Sequence, residues 1–362
     1  MRKSSKATMS SGGTAGLDLG DRFSQICLLD SDGAVVLSQR VASTHEGLQR
    51  FFGGRSRLRI ALESGTHSPW VSRLLAKLGH ETIVGNPRRI RSITCNPRKS
   101  DRFDAEQLAR LARSDPKLLS PITHRGEVEQ RHLALLHSRD QLVRTRTALA
   151  QHVRCTLKSF GLRLPRHSME SFARQAAAHV PGGLSPALTP VLELCTHLTE
   201  QIRAMEREIE RLAAEHYQVT RLLREIVGVG PLTALCFVLV IADASRFRRS
   251  RDVPAYLGLV PRRHQSGERD PQLRITKTGD ELLRRLLVGA AHYILGPFGK
   301  DCDLRAFGLR LAARGGKAAK KRAVVAVARK LAVLMHRLWV SGEVYDPLRS
   351  RKRTAASAPI AA

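Results

Sequence analysis

Aromatic side chains are scarce in this chain: ten Phe, four Tyr and two Trp make up 4% of its 362 residues. Single-strand binding by base stacking needs surface rings, so the scarcity argues against it as the main mode. It argues equally against a basic membrane-surface helix, which would carry Trp and Phe on its apolar face. Cysteines are few and scattered, at Cys27, Cys95, Cys155, Cys195, Cys236 and Cys302, with no Cys-x-x-Cys pair. Neither a zinc site nor a disulfide framework is therefore suggested; small buried thiols in a reducing compartment are expected. The longest apolar run, Ala234 to Ala242, is too short to span a bilayer. Met1 to Thr14 is rich in Ser and Gly and lacks the apolar centre of a signal peptide. These absences predict a soluble cytoplasmic protein without a membrane partner.

Acidic residues are short as well, with 32 Asp and Glu against 61 Lys and Arg, a formal charge of +29. Solvation alone does not need such an excess. Nucleic-acid phosphates do, because each neutralised phosphate releases a counterion. Duplex or structured nucleic acid held by its backbone is the expected partner. Against that background four carboxylates stand out: Asp18 in Ala15-Gly16-Leu17-Asp18-Leu19-Gly20, Glu63 in Ile60-Ala61-Leu62-Glu63-Ser64-Gly65, and Asp101 and Asp104 in Lys99-Ser100-Asp101-Arg102-Phe103-Asp104. Carboxylates beside apolar side chains cost several kcal/mol unless a cation compensates them. Clustered and ionised, they point to bound magnesium and phosphodiester chemistry.

Along the chain, Ala15–Leu19, Phe23–Leu29 and Ala34–Ser38 alternate as strands, the last two joined by the turn Asp30-Ser31-Asp32-Gly33. Thr44 caps a helix ending near Phe52. Leu58–Leu62 and Glu81–Val84 are further strands around a helix from Pro69 to Leu78, whose buried side takes Trp70, Leu74, Leu75 and Leu78. A basic stretch, Asn86 to Lys99, precedes a helix opened by Asp101. Three meander strands followed by alternating helices and strands is the ribonuclease H order, a mixed sheet flanked by helices. In it the first and fourth strands are neighbours, which would bring Asp18 and Glu63 together. Spacing i, i+3 sets Asp101 and Asp104 on one helix face. Singly, each acid has a plainer explanation: a solvent-facing strand residue, a strand end, or a helix cap for Asp101.

Residues 126 to 216 carry helical spacing, with Leu135, Leu142 and Leu149 seven apart and a seam of Leu198, Ile202, Met205, Ile209 and Leu212. Pro181, Gly182, Gly183, Pro186 and Pro190 interrupt the two helices. They form either a hairpin on their own chain or a dimerising coiled coil. The segment Ile226 to Ala234, with Gly228-Val229-Gly230-Pro231, has the form of a helix-hairpin-helix turn or a simple tight turn. Ala318 to Leu338 is a basic amphipathic helix. The expected fold is α/β plus α. A mixed sheet occupies 15–125, a long helical segment 126–216 and a mostly helical domain 217–345, with disordered tails at 1–14 and 346–362.

Gly16-Leu17-Asp18-Leu19-Gly20, Ala61-Leu62-Glu63-Ser64 and Lys99-Ser100-Asp101-Arg102-Phe103-Asp104-Ala105 together resemble the Asp-Glu-Asp-Asp (DEDD) transposases of the insertion sequence 110 family. So do Gly228-Val229-Gly230-Pro231, Tyr256-Leu257-Gly258-Leu259-Val260-Pro261, Gln265-Ser266-Gly267 and Arg274-Ile275-Thr276-Lys277-x-Gly279, in the family's order over about residues 15 to 340. The resemblance implies an amino-terminal domain like the RuvC Holliday-junction resolvase, a coiled coil, and a transposase domain bearing a serine. Asp18, Glu63, Asp101 and Asp104 would then hold magnesium, as two ions, and Ser266 would be the nucleophile. It further implies donor and target DNA, and a structured RNA from the element's non-coding end as guide. The setting would be the bacterial cytoplasm at the nucleoid, with the protein a dimer or tetramer. Candidate phosphate contacts are Arg88, Arg89, Arg91, Arg98, Lys99 and Arg102 before and within the carboxylate helix. Others are Arg262, Arg263, Arg269, Arg274 and Lys277 around Ser266, and Lys317, Lys320, Lys321 and Arg322 on the late helix. The readings that compete are a junction nuclease that never rejoins, a sugar-kinase or actin-like ATPase, and a non-catalytic binder. The ATPase needs a second Asp-x-Gly motif, and none occurs after residue 33.

Overall fold

The computed structural model describes residues 13–90, 100–271 and 273–349. The chain divides into two compact units at residues 125 and 126. Arg91, Arg98 and Lys99 lie outside the described residues, as do the side chains of Arg88 and Arg89 and the residue Cys95. No disulfide is formed by Cys27, Cys155, Cys195, Cys236 or Cys302. Among the described residues no helix is long and apolar enough to cross a membrane.

The first unit holds a five-stranded mixed sheet of order β3-β2-β1-β4-β5. β1 (Thr14–Asp18), β2 (Phe23–Leu29) and β3 (Val35–Ala42) form an antiparallel meander, while β4 (Arg59–Glu63) and β5 (Glu81–Gly85) run parallel to β1. This order is compatible with the expected ribonuclease H-like arrangement. Period-two alternation explains the layers. Ala15, Leu17, Ile26, Leu28, Ile60 and Leu62 turn to one face, buried against Leu48 and Phe52 of α1 (His45–Phe52) and Val71 and Leu75 of α2 (Ser68–Lys77). Of the expected α2 stripe, Leu75 is buried, while Trp70, Leu74 and Leu78 are half-buried; Val71, not foreseen, takes the centre.

The opposite face carries small residues, because a helix lies directly on it. A short α3 (Pro87–Ile90) precedes α4 (Asp101–Ser114), whose Ala105, Leu108, Ala109 and Ala112 are buried against Cys27, Leu29, Ala61 and Ile83. Gly16 is required here: a Cβ on it would sit 1.8 Å from the Ala105 carbonyl oxygen. Arg59 at the start of β4 donates to the carbonyl of Ala112 at 3.5 Å. The end of α4 therefore lies by the start of β4, and α4 runs antiparallel to β1 and β4.

The second unit is helical. α5 (Glu127–Ser159) and α7 (Ser185–His216) pack antiparallel within the one chain, joined through α6 (Phe172–Ala177). Leu133 and Leu136 pack in the core that holds Ile209 and Leu212; Arg146 donates to Thr199 at 3.0 Å; Ala150, Val153 and Leu157 meet Leu188, Leu192 and Cys195. The buried side of α5 runs through Leu133, Leu136, Ala150, Val153 and Leu157, not through Leu135, Leu142 and Leu149, which are half-buried. The buried stripe, with Leu136, Ala150 and Leu157 at multiples of seven, lies one position further along than Leu135 and Leu149, because the core residues of α7 pack on that side. Pro190, expected to break the helix, sits inside α7 in its second turn. There it forgoes one hydrogen bond, to the carbonyl four residues back, just past the end amides that have no helical partner.

The remainder is α8 (Val219–Arg224), α9 (Pro231–Ile241), α10 (Val253–Tyr256), α11 (Glu281–Leu295), α12 (Asp303–Ala312) and α13 (Gly316–Ser341). Every α9 residue from Thr233 to Ile241 is buried, and apolar residues of α11 and α13 close around it.

Candidate functional site

Asp18 closes β1 and Glu63 closes β4, two adjacent parallel strands with Leu17 beside Leu62 in the ladder. Neighbouring strands stand about 4.8 Å apart. Asp18 follows Gly16 by two residues and Glu63 follows Ala61 by two, so both turn to the face that α4 covers. Both are half-buried at its edge. Because α4 runs antiparallel to these strands, its first turn lies at their carboxyl ends. That turn carries Asp101, exposed, and Asp104, half-buried. Ser100, not Asp101, caps the helix, its hydroxyl accepting from the Phe103 amide at 3.3 Å. The capping explanation for Asp101 therefore falls away, although both acids do favour the helix dipole.

The loop after Glu63 is fastened at two places. The Ser64 amide donates to the Gly85 carbonyl at 3.0 Å. The buried Ser68 hydroxyl accepts from the Gly65 amide at 3.0 Å and donates to its carbonyl at 2.8 Å, with His124 Nε2 at 2.9 Å. Burial, with Arg73 and Arg125 close by, pushes the His124 imidazole below its ordinary value and keeps it neutral. Ser68 and His124 are support residues that sequence reasoning missed; 56 positions separate them and no local pattern links them.

Four carboxylates of this kind suit a hard divalent cation, which takes oxygen ligands. Their placement at one end of one sheet face suits it too. Among the described residues no three His, Cys, Asp or Glu side chains are drawn together as a formed cation site. Like charges without a counter-ion repel. Asp18, Glu63 and Asp104 each have other partners. Arg102 is exposed and donates to Ser38 at 3.2 Å.

Ser266 lies in the second unit, at the tip of an arm. Residues 260 to 276 double back on themselves: Thr276 donates to the Val260 carbonyl and Arg262 to that of Arg274, both at 2.9 Å. At the tip, Ser266 and Arg269 exchange two backbone bonds of 3.1 Å around Gly267-Glu268. Gly267 has φ +56°, the left-handed value a two-residue hairpin turn asks of its first position. Arg262, Arg263, Arg269 and Arg274 are exposed along the arm, and Arg263 faces Asp270 at 3.8 Å.

The base of the arm explains two glycines of the sequence motifs. A Cβ on Gly258 would stand 2.2 Å from the Thr278 oxygen, and one on Gly279 would stand 2.2 Å from the Tyr256 oxygen. Both have positive φ, as does Lys277 between them in the crossing. Arg284 of α11 donates to the Leu257 and Thr278 carbonyls, each at 3.2 Å, clamping the two ends. Arg284 too was not foreseen. Gly228-Val229-Gly230 leads into α9 with Pro231 at its first position, and Gly228 (φ +84°) is packed against Ala290 and Tyr293. Lys317, Lys320, Lys321 and Arg322 are exposed on the first turns of α13.

Comparison with known proteins accounts for both parts. Residues 15–161 match a transposase family model of the insertion sequence 110 DEDD type, and residues 220–298 match the model described as Transposase IS116/IS110/IS902 family. The chain is 31% identical to the transposase for insertion sequence element IS1111A of Coxiella burnetii, over 91% of this chain and 90% of that protein. It is 32% identical to the transposase for insertion sequence element IS1328 of Yersinia enterocolitica, over 76% and 82%. A pilin gene-inverting protein of Moraxella lacunata is 28% identical over 74% and 75%. A family of this kind implies a divalent metal and DNA as partner. With both family models and near-full-length relatives in agreement, the chain belongs to the insertion sequence 110 family of DEDD transposases and is a DNA transposase.

Proposed function

We propose that this transposase cuts and rejoins DNA with a RuvC-like carboxylate centre and a serine nucleophile, guided by an element-encoded structured RNA. Asp18, Glu63, Asp101 and Asp104 would hold magnesium, as two ions. The observation that carries this is the common placement of four carboxylates: Asp18 and Glu63 end adjacent parallel strands on the α4 face, beside the first turn of α4 with its two acids. The bound cation would neutralise phosphate charge and polarise the phosphorus.

The chain's own groups do the rest. Exposed on a hairpin tip, Ser266 reaches a DNA phosphate more readily than a residue in a cleft could. Its oxygen attacks phosphorus, a serine–phosphorus bond forms, and one deoxyribose oxygen departs with the electron pair of the broken bond. Glu268 and Asp270 are the nearest carboxylates in sequence to take the serine proton. Arg262, Arg263, Arg269 and Arg274 stabilise the charge that develops. The serine–DNA link retains the energy of the broken bond, so rejoining to a new end needs no ATP. Residues 15–125 would supply the carboxylate centre and 217–345 the serine nucleophile, the Gly228-Val229-Gly230 turn gripping a phosphate. Residues 126–216 would join subunits into a dimer or tetramer, a role supported by the exposed apolar side chains Phe160, Leu162 and Leu194. The site of action would be the bacterial nucleoid, and the gene-inverting name of the Moraxella relative supports site-specific rejoining over cutting alone.

The test is to purify the protein, sequence co-purifying RNA, and incubate it with element ends and target DNA. Wild type should yield a protein–DNA adduct on denaturing gels and joined products. Ser266→Ala should yield neither and still bind RNA. Joined products from Ser266→Ala would remove the serine from the mechanism; nicked DNA without joining would leave the nuclease reading.

A further inference from the structure

A cleft of about 1100 Å3 lies in the second unit between α12, α13 and the segment that follows α13. It contains no residue of the carboxylate group or of the Ser266 arm. α12 crosses α13 closely at Gly308, where a Cβ would stand 2.5 Å from Val327 and from Leu295. The chain after α13 returns to close one end, the Pro347 carbonyl accepting from the Asp303 amide at 2.8 Å.

Six cations line this cleft, Arg251, Arg310, Arg329, Lys330, Arg337 and Arg349, against two carboxylates, Asp303 and Asp346. Arg349 is paired with Glu343, and the Lys330 ammonium sits 4.0 Å over the Phe307 ring. Glu343 also lies close enough to Arg337 for each to feel the other's charge, so the balance rests on the six cations against the two carboxylates of the cleft. Gathering like charges around one concavity is unfavourable unless an anion enters it. The anion must be long. Arg329 to Arg337 spans eight residues of one helix, about 12 Å at 1.5 Å per residue, more than a single phosphate covers.

We propose that this cleft seats the sugar–phosphate backbone of a nucleic-acid strand. The arginines contact successive phosphates, and Phe307, Val333 and Leu334 face the sugars. The proposal rests on the chain handling nucleic acid, as a transposase must, but not on the serine or carboxylate assignments.

Binding of a random-sequence duplex DNA, and separately a random-sequence RNA hairpin, is titrated at several salt concentrations. The proteins compared are wild type and Arg310→Gln/Arg329→Gln/Arg337→Gln. Each lost phosphate contact lowers the log–log salt slope by about 0.9 on duplex DNA, so the triple variant should lose about 2.7. A fall confined to RNA or to DNA would name the occupant. Single Arg→Gln variants, each lowering the slope by about 0.9, keep the test valid should the triple variant fold poorly. A folded variant whose affinity and slope match wild type on both nucleic acids overturns the proposal, even if wild type recombines DNA. A cleft-dependent slope in a protein that joins no ends would instead sink the recombinase mechanism and leave this site standing.

Discussion

Gly16 shows how a single residue sets the geometry of the carboxylate group. Two positions before Asp18, it lets α4 rest on the sheet backbone; a methyl group there would stand 1.8 Å from Ala105. Gly16→Ala should lower stability by about 1–3 kcal/mol, the usual cost of overpacking a filled site. It should also lift the first turn of α4, so cleavage should fall further than denaturant curves alone explain. Stability lost without any loss of cleavage in the remaining folded protein would show that α4 does not position the centre. For the acids themselves, Asp18→Asn, Glu63→Gln and Asp104→Asn should each cut strand cleavage by about two orders of magnitude or more. Nucleic-acid affinity should remain near that of wild type, or rise slightly as negative charge is removed. Affinity that collapses together with cleavage would mark the acids as structural. The positions of the four acids, two at strand ends and two in the first turn of a helix, were legible in the sequence. Ser68, His124 and Arg284 were not, since their partners are backbone groups and a residue far away in the chain.

At the scale of elements, His124 is tied to the loop after β4 through Ser68. Its imidazole is held below the ordinary 6.5, so the unfolded chain takes up this proton first as pH falls. The sign follows: the contribution of His124 is fully present above about 6.5 and is lost as pH drops through the folded value. Melting temperatures at neutral and mildly acidic pH should therefore diverge more for wild type than for His124→Gln. Equal divergence would show that the Ser68–His124 bond does not couple to folding. The Ser266 arm makes a second prediction. Gly258→Ala adds a Cβ 2.2 Å from the Thr278 oxygen at a residue of positive φ. It should disturb the crossing at the base of the arm and lower adduct formation while DNA binding persists. Normal adduct yield would mean that the arm tolerates a looser base. Strands, caps and helices were legible because alternation, Thr44, and apolar spacing act locally. The α5 seam was not, because side chains from α7, α9 and α11 decided which face was buried.

For the whole molecule the governing quantity is the charge of +29. Self-repulsion of that size opposes compactness, and a bound polyanion relieves it. Duplex DNA should raise the melting temperature at low salt by mass action, and the gain should fade as salt approaches about 1 M, where the Debye length is about 3 Å. A gain that persists at high salt would point to base-specific or apolar contacts as the main source of affinity. Neutralising Lys320, Lys321 and Arg322 should weaken binding to all sequences alike, since phosphate contacts carry no base information. A changed target preference with an unaltered salt slope would contradict that role.

By itself the sequence determined the partner class and the order of strands and helices. Composition, alternation and caps act within a few residues, and charge counts need no fold. Only the tertiary structure decided that α4 runs antiparallel to β1 and β4, which sets its two acids at the ends where Asp18 and Glu63 emerge. It alone decided that Ser266 stands at an exposed hairpin tip, and that arginines from α12, α13 and the segments around them share one cleft. These juxtapositions arise from packing between residues tens to hundreds of positions apart, and no local pattern encodes them.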